Sequence, residues 1–169
     1  MIKNKILKRN ITAMANAMQK HTVLVKPVKK VAILNNPQSN LSLQNLQYLE
    51  KALNLNSESF EIFTIKHRKD NYNELRGVIA TIDSFNMFGK IKSETINKFL
   101  NQKYDLLIDF TNTSNIVEEY FSLAIKAGFR VGYANDKEIY DLMLQIDKGK
   151  IKAFIDEMMR YLKIIGLSE

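Results

Sequence analysis

Apolar and polar positions along the chain change period several times, and each change marks an element. Leu7, Ile11, Met14 and Met18 recur at i, i+4, i+7 and i+11, the spacing of one helical face. Ile2 and Ala17 lie close to that stripe, while Lys3, Lys5, Lys8, Arg9 and Asn16 fall largely outside it. The spacing predicts a helix over residues 1–20. Pro27 and the Val/Lys stretch around it break the pattern, so residues 21–30 read as a connection.

From residue 31 the pattern alternates between short apolar runs and helical stripes. Val31-Ala32-Ile33-Leu34, bounded by basic residues and by Asn35-Asn36-Pro37, has the continuous apolar character of a strand buried on both faces. Leu43, Leu46, Leu49 and Leu53 predict a helix over 41–53. Phe60 to Ile65 alternates and is rich in β-formers, which predicts a second strand. A polar loop over 67–73 and a short strand over 78–82 follow. Ser93-Glu94 opens a helix to about Leu100, and YDLLIDF (Tyr104–Phe110) is the clearest strand. Asn115, with Glu118 three residues on, reads as a helix start of capping-box type, and Gly128 as the glycine that ends this helix. Strands over 129–133 and 142–146 come next. A last helix from about Lys148 carries the stripe Ile151, Phe154, Ile155, Met158, Leu162 and Ile165 and ends at Gly166. Strands alternating with helices imply βαβ units. The predicted fold is therefore α/β, a three-layer Rossmann-like sandwich with a mostly parallel sheet of five to six strands and an N-terminal basic helix.

Charge divides the chain. With 25 Lys plus Arg against 18 Asp plus Glu, the formal charge is +7. Residues 1–30 hold eight of the basic groups and no acid, which leaves residues 31–169 with a net charge of −1. The expected organisation is thus a basic amphipathic arm with its connection, residues 1–30, and a single α/β domain, residues 31–169. A nucleic-acid-binding fold would want its Lys and Arg on a folded face, so the domain itself is a poor candidate for one. A hydrophobic share of 46% beside 25% charged residues excludes disorder of the whole chain. The chain has no Cys and two His, His21 and His67. That rules out disulfides, thiolate metal sites, a Cys nucleophile and a His-rich zinc site, and it fits a reducing compartment. No run approaches the roughly 18 apolar residues of a spanning helix. No apolar stretch of signal-peptide type follows the basic start. A cytoplasmic protein, able to sit peripherally at the inner membrane surface, is expected.

YDLLIDF, LAIKAGFRVGY (Leu123–Tyr133), YDLMLQID (Tyr140–Asp147) and FIDEMMRYLKII (Phe154–Ile165) resemble an uncharacterised bacterial protein family found mainly in the Bacteroidota. Its members also have a basic helical start, a first strand ending near Asn and a segment like Phe85-Asn86-Met87-Phe88-Gly89-Lys90-Ile91-Lys92. The resemblance covers residues 31–165. It supports the fold reading and implies no activity. YDLLIDF with the helix after it and GFRVGY also looks like the N-terminal Rossmann-like lobe of two-lobed glycosyltransferases such as heptosyltransferases. Those enzymes hold the nucleotide-sugar chiefly on a second lobe, for which this chain has no room, so this likeness is one of fold and does not carry function.

Candidate chemistry lies where ligands sit in open α/β sheets, beyond the C-terminal ends of the strands and near the point where strand order reverses. Asn35, Asn36, Gln38 and Ser39 follow the first strand, and Asp83, Ser84 and Asn86 the third. Asp109, Thr111, Asn112, Thr113 and Ser114 stand at the end of YDLLIDF. This rim of amides and hydroxyls suits a small polar ligand held by neutral hydrogen bonds. The same residue types equally serve turns and caps. A phosphate ligand fits less well. Neither Gly-x-Gly-x-x-Gly nor Gly-x-x-x-x-Gly-Lys-Ser/Thr occurs among the six glycines, and Glu118 and Glu119 at a helix start repel anions. Asp83 and Asp109 are expected to meet, as an acid/base or Mg²⁺-holding pair, only if their strands are neighbours. His67 sits in a charged loop, where solvation is the ordinary state. No cofactor, metal site or catalytic residue is assigned.

The arm carries the most distinct signal. An acid-free basic amphipathic helix suits an acidic protein, RNA or an anionic membrane surface, with Lys3, Lys5, Lys8 and Arg9 as the docking residues. The alternative is a helix packed on its own domain, or on a second copy in a homo-oligomer, because packing supplies most helix stability. The function expected is a non-catalytic α/β domain that docks through this helix. The competing expectation is a ligand-binding or transferase-like domain with its site at the strand C-termini.

Overall fold

Val31–Asn35 is buried at every position, as its unbroken apolar run requires of a central strand. In a computed structural model describing residues 2–18, 27–70 and 75–167, this segment is β1 of a six-stranded sheet. The other strands are β2 (Phe60–Ile65), β3 (Val78–Ala80), β4 (Lys103–Asp109), β5 (Lys126–Tyr133) and β6 (Leu142–Leu144). The helices are α1 (Ile2–Ala17), α2 (Leu43–Leu53), α3 (Glu94–Asn101), α4 (Ile116–Ala124) and α5 (Ile151–Ile164). The strand order is β3-β2-β1-β4-β5-β6, and every pairing is parallel. Strand order therefore reverses between β1 and β4, where Leu34 lies beside Asp109. The last two residues of the helix expected over 1–20, positions 21–26 of the connection expected over 21–30, and the end of the polar loop at 71–73 lie outside the described residues.

Alternation along the strands separates two cores. Val31, Ile33, Leu106, Ile108 and Val131 face α2 and α5, whose Leu49, Phe154, Met158 and Leu162 fill that side. Ala32, Leu34, Phe63 and Leu107 face the other way, onto Ile96 and Phe99 of α3 and Val117 and Phe121 of α4. Phe63 joins these layers through ring contacts at 4.9 Å to Phe99 and 4.6 Å to Phe121. The result is the three-layer sandwich that the alternation predicts. Among the described residues no helix is long and apolar enough to cross a membrane.

The helix α1 packs on α4. Leu7 and Ile11 are buried there, and Ile11, Leu123, Ile139 and Tyr140 form a small cluster with Met14 and Met18 at its edge. The stripe read from the sequence is thus covered by the protein's own domain.

Several boundaries differ from the sequence pattern, and β5 starts at Lys126 rather than Phe129. β3 stops at Ala80 because Thr81 and Ser84 form a reciprocal cap on a 3-10 turn, Ile82–Ser84. β6 spans three residues, and α5 starts at Ile151. Gly128 does not end α4, which stops at Ala124 with Ile125 extended. Its last carbonyls, Ser122 O and Ile125 O, accept instead from the guanidinium of Arg130, so no left-handed glycine is needed. Gly128 lies inside β5, where an added Cβ would stand 3.3 Å from Asp105 O. Gly166 does end α5. Its φ is +76°, and Leu167 N–H bonds back to Leu162 O at 2.9 Å, the arrangement that favours glycine at this place.

Candidate functional site

The two strands at the reversal point deliver their ends to one crevice. β1 runs into Asn36 and a 3-10 turn, Pro37–Ser39, and β4 runs into the loop before α4. Asn36 Nδ2 donates to Glu118 Oε1 at 2.7 Å. The other Glu118 oxygen accepts from Ser114 N–H at 3.0 Å and from its hydroxyl at 3.2 Å. Glu118 is fully buried. It is not the reciprocal half of a cap on Asn115. Asn115 caps α4 through Val117 and Glu118 N–H, while the Glu118 carboxylate crosses to the β1 loop. His67, half-exposed, holds Nε2 3.8 Å from Glu118 Oε1 and 3.3 Å from Asn115 Nδ2. The loop that reads as solvated therefore brings its imidazole to the edge of this buried charge.

A second polar cluster lies on the β5 side. Asp109 accepts from Thr111 N–H at 2.8 Å, from Thr111 Oγ1 at 2.6 Å and from the Tyr140 hydroxyl. Burial pushes the Asp109 carboxyl above the usual carboxylate range, against the opposing pull of these hydrogen bonds. Burial, with the neighbouring Asp109 charge, holds the Tyr140 phenol well above its ordinary value. Thr113, at φ 50°, donates its hydroxyl to Asn112 O and accepts from Asn135 Nδ2. Lys137 Nζ meets Thr113 O at 2.8 Å and Glu119 at 2.7 Å.

The remaining rim residues are spread out. Asn35 braces β1 to β2, donating to Phe63 O and Thr64 Oγ1. The Ser39 hydroxyl closes the 3-10 turn on Asn36 O. Asp83 forms an exposed ion pair with Arg68. Asn86 organises a tight turn, accepting from Phe88 and Lys90 N–H. Asp83 and Asp109 do not pair. Two strands stand between β3 and β4, roughly 14 Å at the spacing of neighbouring strands, because Asp83 follows the edge strand of the sheet. A pocket does open at the ends of β1 and β2, lined by Asn35, Asn36, Asn40, Leu41, Thr64 and Arg76. Among the described residues no group of three or more His, Asp and Glu is placed to hold a metal ion.

The docking residues of α1 divide as well. Lys3 Nζ donates to Ile82 O at 3.1 Å. Lys5, Lys8 and Arg9 are exposed, and none makes an ion pair with a described acidic group.

Sequence reasoning names neither Glu118 nor His67 as site residues, and it passes over Tyr140 and Arg130. Nothing local marks them. Each becomes notable only through a partner elsewhere in the chain, 82 residues away in the case of Asn36 and Glu118.

The model of a family of unknown function (DUF6913) matches residues 3–165, nearly the whole chain. No curated protein and no solved structure matches it.

Proposed function

We propose that this chain, which belongs to the family of unknown function DUF6913, is a non-catalytic α/β domain that docks to an acidic surface through the outer face of α1. The observation that carries this reading is the division of labour on that helix. Its apolar stripe is engaged on α4, while Lys5, Lys8 and Arg9 face outward without acidic partners among the described residues. Surface cations are normally interspersed with acids, so an acid-free run over residues 1–30 supports a partner that supplies the opposite charge. An acidic protein, RNA and an anionic bilayer at the cytoplasmic face all meet that description. The test is co-sedimentation of the full chain with anionic vesicles and with RNA, at low and high salt, beside the triple variant Lys5→Gln, Lys8→Gln, Arg9→Gln. The variant is expected to keep its far-UV spectrum and lose most low-salt binding. Equal binding by both chains would sink the reading.

A second reading, a small-ligand or transferase-like site, is favoured by one arrangement: a buried carboxylate at the reversal point with a half-exposed imidazole beside it. In this reading Asn36 and Glu118 orient His67 toward whatever occupies the crevice. Thermal-shift screening against sugars, nucleotides and Mg²⁺ tests it. A ligand that stabilises the parent chain and not His67→Ala supports the reading, and no shift from any of them sinks it.

A further inference from the structure

The turn between the 3-10 segment at 82–84 and α3 is built to hold two large apolar side chains in water. Its root is fixed. Phe85 is buried against Tyr120 and Phe121, at ring distances of 4.8 and 5.5 Å, and pairs with Ile91 across an antiparallel bridge. Asn86 N–H bonds to Lys90 O at 2.8 Å, and the Asn86 side chain holds the N–H groups of Phe88 and Lys90. Gly89, at φ +71° and buried, lies beneath α1, where an added Cβ would stand 2.7 Å from Ile6 Cγ2. The tip that results carries Met87 and Phe88, which are 74% and 75% exposed. Scattered single apolar residues on a surface need no explanation, but two adjacent ones on a braced turn do.

The tip belongs to the basic side of the molecule. Gly89 touches α1 at Ile6 and Asn10. Ile2, one turn before Ile6, is 71% exposed and extends the apolar patch. Lys5 and Arg9 precede Ile6 and Asn10 by one position each and are exposed, and Lys90 and Lys92, also exposed, stand on the returning arm of the turn. The nearby Asp83 carboxylate is already paired with Arg68.

We infer that this patch is a peripheral docking surface for an anionic phospholipid bilayer, in which Phe88 and Met87 enter the headgroup boundary while Lys5, Arg9, Lys90 and Lys92 face the lipid phosphates. The inference rests on the docking reading above and names its partner. An exposed Phe beside a Met on a projecting turn suits insertion among acyl chains. Cations around it supply the second signal that stable attachment to a bilayer requires.

The chain has no Trp, so Phe88→Trp gives the tip a reporter of its own. With vesicles of phosphatidylcholine and phosphatidylglycerol, the indole emission of that variant is expected to shift to the blue and to be quenched by brominated lipid. Pure phosphatidylcholine vesicles are expected to leave it unchanged. Phe88→Ser is expected to lower partitioning into the anionic vesicles by about tenfold, the factor for keeping one large apolar side chain in water, with an unaltered far-UV spectrum. Binding that depends on Lys5 and Arg9 while the indole emission stays fixed would leave the docking reading standing and overturn the bilayer insertion. An indole response to RNA and none to vesicles would also overturn it. Binding indifferent to the charge variants would remove both.

Discussion

Arg130→Ala is expected to destabilise the protein by about 3 kcal/mol, the loss of two buried charge-assisted hydrogen bonds at about 1.5 kcal/mol or more each. Arg130 stands in β5, 5% exposed, and its two terminal nitrogens reach Ser122 O and Ile125 O. These carbonyls end α4, so the guanidinium both satisfies them and sets a positive charge at the negative end of the helix. Removing it strands two acceptors away from water and opens a cavity beneath the helix that seats α1. Arg130→Lys is expected to recover only part of the loss. One ammonium on a flexible stem does not reproduce the planar fork that meets two carbonyls together. Urea unfolding of the three chains measures the difference. Equal midpoints for Arg130→Ala and the parent would show that water replaces the guanidinium at no cost.

Asp109→Asn is expected to flatten the dependence of stability on pH. Burial raises the Asp109 carboxyl above its ordinary value, so from about pH 4 upward the folded chain holds a proton that the unfolded chain has released. Folding then gains from Asp109 below about pH 4. That contribution disappears as pH rises through the folded-state value, with a slope of up to about 1.4 kcal/mol per pH unit inside the window. Asn keeps an oxygen for Thr111 and offers an N–H to the Tyr140 hydroxyl, which turns from donor to acceptor. It does not titrate. Exposed carboxylates such as Asp83 and Asp156 are shifted the other way, so the informative quantity is the difference between the two chains at each pH. The parent is expected to lose stability relative to Asp109→Asn as pH rises from about 4 toward neutrality. A constant difference across that range would refute the assignment.

The fold was largely legible because its signals are local. Val31–Leu34 and YDLLIDF are apolar runs that only a two-sided sheet can bury, and both are central strands. Ser93 and Asn115 start helices because a short side chain answers the free N–H groups nearby. Gly128 misled because a helix end satisfied by a guanidinium folding back from the next strand looks, in the sequence around it, like one ended by glycine. The candidate site was less legible. The Asp83–Asp109 idea depended on strand order, and β1 lies between β2 and β4 without any local mark to say so. Glu118 reads in the sequence as half of a capping box and as a group that repels anions, since its burial is decided by Asn36 and Ser114 together. The turn at 86–89 shows only as apolar residues beside Asn and Gly. Its brace depends on Ile6, far back in the first helix.

The seat of α1 on α4 also has a consequence in time. Ile116 is polymerised about a hundred residues after Ala17, so at about 5–20 residues per second the ribosome leaves α1 without its seat for roughly 5–20 s. Over that interval Leu7 and Ile11 lack the α4 side chains that complete their cover, and a lone helix of 16 residues is marginal in water. An element near the start of the chain is thereby among the last to become permanent. Growth of the nascent chain past α4, rather than the helical sequence itself, decides when the basic face is presented.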